Sequence, residues 1–284
     1  SYPLMINSLL ATLFFKVAVQ LLGWLTKDSR VLGWYSAAYK YVDAVQVIPA
    51  YFTLAIFPLM SRYAATAKDS LLRAYQLALK LLVIVAIPLA VLGSALSTEL
   101  ITILGGSQYL PYAASILCVM IWYMPIGFIN SVTQYVLIAL GQQRFLTRAF
   151  FIGLIFNVIA NIILINRFGF MAAAYVAVAS ELALLIPFYI GIRKHLAALP
   201  WFQLLWKQVV SALPMVLILL SPLRRHLALS LLAGIGLYVV GLAVLRVFDE
   251  REREAVGGAL PLDRIKGRIL RSLHRPVDSG TPQK

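Results

Sequence analysis

Four charged side chains sit inside apolar runs of this sequence: Lys16, Lys40, Asp43 and Glu181. A charge at the centre of a bilayer costs about 2.5–3.5 kcal/mol on insertion scales, so each needs water, a counter-charge or a ligand to meet it. Lys40 and Asp43 are three residues apart, so on a helix they share a face and can pair. Tyr39, Gln46 and Pro49 lie close to that face. Two readings stay open for this stripe: the wall of a water-filled cavity that takes an anionic headgroup, or a structural ion pair inside a helix bundle. Lys16 has no acidic neighbour on its own helix, which points either to a cavity or to a side chain that snorkels to the interface. Asn130, Thr133 and Gln134 fall on one face, and Asn130 and Gln134, beside Pro125 and Gly127, suit a cavity wall or a helix contact equally. Asn157 and Asn161, four apart, and Glu181 read as polar contacts that hold helices together.

No other chemistry stands out. Cys118 is the one cysteine, and His195, His226 and His274 are far apart, so no disulfide framework, metal spacing or cofactor is implied. The chain is 61% hydrophobic and 13% charged, against about 45–50% and about 25% in soluble proteins. A fold of 284 residues could not hide that surplus, which must face lipid. The net charge of +14 comes from residues between apolar runs and in the tail, a membrane-topology pattern rather than a nucleic-acid surface.

A bilayer span needs about 20 mostly apolar residues. Eight stretches qualify: 4–26, 33–58, 77–97, 113–140, 149–166, 170–191, 205–222 and 227–247. The fold expected is therefore all-α and integral to the membrane, a bundle of about eight transmembrane helices. Pro49, Pro88, Pro125 and Pro214 fall inside spans and should kink them. The segments 61–76, 141–148, 192–208 and the tail from Arg246 carry 17 Lys and Arg, against 5 on the opposite side. That bias places the first set, and both ends of the chain, in the cytoplasm.

Three parts are expected: 1–195 with six transmembrane helices, 196–248 with two more, and a basic cytoplasmic tail, 249–284. Residues 249–254 read as a solvated charge run. Within the tail, Leu262, Ile265, Ile269 and Leu273 share one helical face, so 261–274 is either an amphipathic helix on an anionic leaflet or a disordered basic segment. The chain starts at Ser1, and reads as a piece of a longer protein.

Two stretches resemble a known family. The first runs from Gly33, Tyr35, Ser36, Ala37 and Ala38 through Lys40, Asp43 and Pro49 to Phe57, Pro58, Ser61 and Arg62. The second runs from Gln134 through Gly141 and Arg144 to Asn157, Asn161, Phe168 and Gly169, and ends on Ser180 and Glu181. Both resemble the polysaccharide flippases of the MOP (multidrug, oligosaccharidyl-lipid, polysaccharide) superfamily, which has a MATE-like fold. The likeness covers most of residues 1–195 and implies a C-terminal lobe, family helices seven to fourteen, with six helices preceding it. The chain departs from the pattern where Val17 and Ala18 follow Lys16, at a place where the family often carries an aspartate.

The resemblance implies a transporter, not an enzyme, in a bacterial or archaeal cytoplasmic membrane. It would flip a polyprenyl-diphosphate-linked oligosaccharide for cell-surface polysaccharide synthesis, lipopolysaccharide included. Membrane lipids, the polysaccharide-assembly machinery and a coupling H+ or Na+ are the partners it implies, and nucleic acid is not among them. A diphosphate needs cations in a hydrated cavity. Lys16 and Lys40 are the candidates, with Asp43 beside Lys40, Arg62 at the cytoplasmic mouth, and Asn130 and Gln134 for sugar hydroxyls. A small-molecule antiporter of the same superfamily should show acidic cavity residues. A membrane-embedded glycosyltransferase or polymerase should show carboxylates in a large outer loop, whereas the outer loops carry only Asp28 and Glu99.

Overall fold

In a computed structural model of the chain, residues 2–221, 226–250 and 252 are described. The tail segments 253–284, including the possible amphipathic helix 261–274, and Pro222 lie outside the described residues. Among the described residues all regular structure is helical: α1 (Tyr2–Thr26), α2 (Ser29–Val45), α3 (Val47–Thr66), α4 (Lys68–Ala95), α5 (Ser97–Gly105), α6 (Tyr112–Met120), α7 (Tyr123–Ala139), α8 (Gln143–Phe168), α9 (Met171–His195), α10 (Trp201–Leu220) and α11 (Leu227–Val244). A short 3-10 turn, Ser107–Tyr109, joins α5 to α6. Seven helices or continuous helix pairs are long and apolar enough to cross a membrane, and the bent pair α6–α7 makes an eighth. This is a multi-pass membrane protein.

One span is sharply bent and another is interrupted for a single residue within a continuous span, each just before a proline. Gln46 separates α2 from α3, and Pro49 is the third residue of α3. Ile121 and Trp122 separate α6 from α7 with a 41° bend, and Pro125 is the third residue of α7. A proline in the first turn costs nothing in hydrogen bonds, because those amides have no partner within the helix. Pro88 and Pro214 instead stay inside continuous helices. Together α2 and α3 make a 38-residue span. At 1.5 Å per residue that is about 57 Å, well beyond the roughly 30 Å of hydrocarbon.

The apolar pattern is arranged for lipid. On α8, Leu146, Ala149, Phe150, Gly153, Asn157, Asn161 and Ile165 are buried. Its outer face shows Phe151, Ile152, Ile155, Phe156 and Ile159, each at least 40% exposed. Polar inside and apolar outside is the reverse of a soluble helix and needs no further cover in a bilayer. The helix stops at Gly169, whose φ of 71° suits a residue without a side chain.

Helix α7 is central, packed against α3, α4, α8 and α9, while α1 closes the bundle on α8. Tyr75 of α4 and Thr133 of α7 share a buried hydroxyl hydrogen bond of 2.7 Å. Thr133 therefore faces α4. The α10–α11 hairpin packs on the outside of α4, where the Tyr238 hydroxyl donates to the Ile84 carbonyl at 2.9 Å. Asp249 and Glu250 are exposed, while the partly buried Glu252 pairs with Lys80 of α4 at 2.8 Å and accepts from the Asp249 amide at 3.0 Å. Helix α5 and the 3-10 turn occupy the segment between α4 and α6.

Candidate functional site

A cavity of about 380 Å³ opens between α1, α2, α7 and α9, beside the break at Gln46. Thr12 and Lys16 reach it from α1, Tyr39 and Asp43 from α2, and Gln46 from the break itself. Helix α7 contributes Tyr123, Gly127, Asn130, Ser131 and Gln134, which recur at helical spacing along one stripe. Glu181 of α9 completes the polar wall, and Phe150, Leu184 and Phe188 make the apolar one. A Cβ on Gly127 would stand 3.2 Å from Nε2 of Gln46, so glycine there lets the interrupted span approach α7.

The cavity lies deep. Lys16 is ten residues before the end of α1, and Glu181 ten residues after the start of α9, at the same face of the bundle. Ten residues rise about 15 Å, half of a hydrocarbon core.

Asn130 and Glu181 form the buried core of the site, at 4% and 1% exposure. The Asn130 amide donates to Glu181 Oε2 at 2.5 Å and to the Glu181 carbonyl at 2.9 Å. The Tyr123 hydroxyl also meets the Glu181 carboxyl, while Asn130 Oδ1 is buried with no hydrogen-bond partner among the described residues. Such an oxygen is costly unless a proton, a cation or water meets it.

The polar residues singled out from sequence are divided by the fold. Lys16, Asp43, Asn130 and Gln134 line the cavity. Lys40 lines a separate groove against α5, so the two lysines do not share one cavity. No ion pair joins Lys40 to Asp43 among the described residues. Lys40 lines the groove together with Ser36, one turn earlier, while Asp43 lines the cavity. Acid before base is the favourable order along a helix, and here the order is reversed. Arg62 is exposed near the end of α3, over the Tyr63 ring at 5.6 Å, and does not line the cavity. Asn157 donates to Ser180 Oγ at 3.0 Å, tying α8 to α9, and Asn161 donates back to Asn157.

The charged lining is thus Lys16 with Asp43 and Glu181, rather than the mainly basic set of Lys16, Lys40 and Arg62 with Asp43 that was expected. Thr12, Ser131 and Tyr123 were not singled out from the sequence. Ser131 and Tyr123 each lie four residues from Gly127, and that spacing was the available signal.

Against this geometry, the family model MatE matches residues 3–163, more than half of the chain. The chain belongs to the MatE family. The matched region contains every cavity residue of α1, α2, α7 and α8, while Glu181, Leu184 and Phe188 of α9 follow it. A Methanocaldococcus jannaschii protein described as the uncharacterized membrane protein MJ1068 is 36% identical over 95 residues. That alignment covers 34% of this chain and 18% of the relative. MatE membership agrees with the superfamily to which the two motif stretches pointed, and it is a family of transporters rather than enzymes.

Proposed function

We propose that this MatE chain forms the substrate cavity of an alternating-access transporter that flips a polyprenyl-diphosphate-linked oligosaccharide in a cytoplasmic membrane. The observation that carries the reading is Lys16 at mid-depth, facing a wall of Gln46, Asn130, Ser131 and Gln134. A cation at that depth requires an anion or water, and the neighbouring amides and hydroxyls match a glycan's hydroxyls. The motif stretches from Gly33 to Arg62 and from Gln134 to Glu181 add support. The 41° bend between α6 and α7, next to Tyr123 of the cavity, supplies a hinge for its opening and closing.

Glu181 is the coupling group in this reading. Its buried carboxyl, held by the Asn130 amide and the Tyr123 hydroxyl on the cavity wall, suits a proton or Na+ that binds when the cavity is wet. The bias of Lys and Arg places residues 61–76, 141–148, 192–208 and the tail in the cytoplasm.

A second reading is favoured by one specific feature. Asp43 and Glu181 outnumber Lys16 on the cavity, which would suit an antiporter of small cationic molecules. Proteoliposomes holding the whole protein separate the two. A fluorescent polyprenyl-diphosphate oligosaccharide should change leaflet at a rate that Lys16→Gln cuts at least about tenfold, the size of one charge-assisted contact. Normal flipping by Lys16→Gln, with uptake of a cationic dye lost in Asp43→Asn, would reject the flippase in favour of the antiporter.

A further inference from the structure

The backbone at the bend between α6 and α7 departs from the α-helical ladder. The Trp122 amide donates to the Val119 carbonyl at 3.2 Å and the Met124 amide to the Ile121 carbonyl at 3.0 Å, each three residues back rather than four. Pro125 has no amide to offer Ile121. A tightened turn of this kind inside a span is a place where the helix can change its angle at little cost. The side chains on either side then decide the angle.

The α6 side is fixed to α4. Ser94 Oγ donates to the Cys118 carbonyl at 3.0 Å, and a Cβ on Gly93 would stand 2.7 Å from Ile121 Cγ1, so Ile121 nests on that glycine. The α7 side is tied to α9 by Tyr123, the first residue of α7. Its ring is 8% exposed, and its hydroxyl meets the Glu181 carboxyl. The ring also packs over Gly127, where a Cβ would stand 3.4 Å from Tyr123 Cε1. Asn130 holds the same carboxyl from seven residues further along α7, about 10 Å from the bend. Tyr123 is the contact that lies at the bend itself.

We propose that Tyr123 is the positioning residue that transmits the charge state of Glu181 to the α6–α7 bend. An ionised carboxylate accepts from the phenol in a charge-assisted hydrogen bond, about twice as strong as a neutral one, and holds the first turn of α7 against α9. A proton or a cation on Glu181 removes that advantage and frees the bend. The phenol keeps its own proton throughout. The inference rests on the reading of Glu181 as the coupling group, and links that group to the part that moves. The titratable groups around the carboxyl are Lys16 of α1, Tyr39 and Asp43 of α2 and Tyr123 of α7, while α8 presents only Phe150 to the cavity.

The test is amide hydrogen exchange of the purified full chain in lipid nanodiscs, read by mass spectrometry at about pH 9, where a carboxyl is ionised. Tyr123→Phe keeps the ring and removes the hydroxyl. It should speed exchange at residues 119–124 about tenfold, the size of one charge-assisted contact, and leave α8 at the wild-type rate. Glu181→Gln should do the same. Adding Tyr123→Phe to it should raise the rate by less than about threefold more, because both changes act through one bond. A phenol that only packs would leave exchange unchanged in Tyr123→Phe, and that result overturns the proposal. So does a rise spread evenly over α8, or full multiplication of the two effects in the double variant. If Tyr123→Phe does not fold, wild-type exchange at 119–124 in Glu181→Gln overturns it equally. No substrate enters this assay. A failed flipping experiment therefore rejects the transport reading alone, and unchanged exchange beside normal gradient-driven flipping rejects the Tyr123 link alone.

Discussion

The Asn130 amide on α7 spans two acceptors of Glu181 on α9, the carboxylate Oε2 at 2.5 Å and the backbone carbonyl at 2.9 Å. The two residues are 51 apart in sequence and both are buried. This contact joins the central helix to the cavity wall, where the Tyr123 hydroxyl also meets the Glu181 carboxyl.

Removing one side of that contact should be costly. Asn130→Ala leaves the carboxyl buried with a lost donor, and should destabilise the protein by about 1–3 kcal/mol. Thermal unfolding in detergent measures this. An unchanged unfolding temperature would mean that water already serves both groups.

Glu181→Gln keeps the size and the acceptor for Asn130 but cannot exchange a proton or hold a cation by charge. Membrane abundance should remain near wild type while transport driven by an ion gradient falls at least about tenfold. Gradient-driven transport at the normal rate in this variant would confine Glu181 to helix packing.

Lys40 and Asp43 should behave independently. Each faces a different recess, so a double-mutant cycle of Lys40→Met and Asp43→Asn in thermal unfolding should give a coupling below about 0.5 kcal/mol. A larger coupling would restore the ion pair that the helical spacing suggested.

Asn157 should act as a helix tie. Its amide meets Ser180 Oγ at 3.0 Å, and hydrogen bonds between membrane helices average about 0.6 kcal/mol with a maximum near 1.7. Ser180→Ala should cost an amount in that range and leave transport intact. Loss of transport at wild-type stability would instead assign the pair to the mechanism.

The charge bias predicts topology directly. In a Cys118→Ala background, Ser107→Cys should react with a membrane-impermeant thiol reagent from outside, and Arg193→Cys only after the inner face is opened. The reverse pattern would invert the orientation.

Sequence alone determined the solvent of this protein. Runs of about 20 apolar residues can be satisfied only as helices in lipid, so the all-α membrane fold and its eight spans were legible from periodicity and length. The cost of midspan charge also marked Lys16, Asp43 and Glu181 as residues in need of a partner. What those partners are was decided by tertiary structure. The Asn130–Glu181 contact joins helices 51 residues apart, and no spacing within one helix encodes it. Lys40 and Asp43 looked paired because spacing fixes which face a residue takes, but not which way its side chain leans or what packs beside it. Lys40 looked like a second cation of the same cavity because hydropathy does not show that α5 packs beside α2 and gives Lys40 a recess of its own. Depth and partnership are properties of how helices are stacked against one another, and only the packed bundle supplies them.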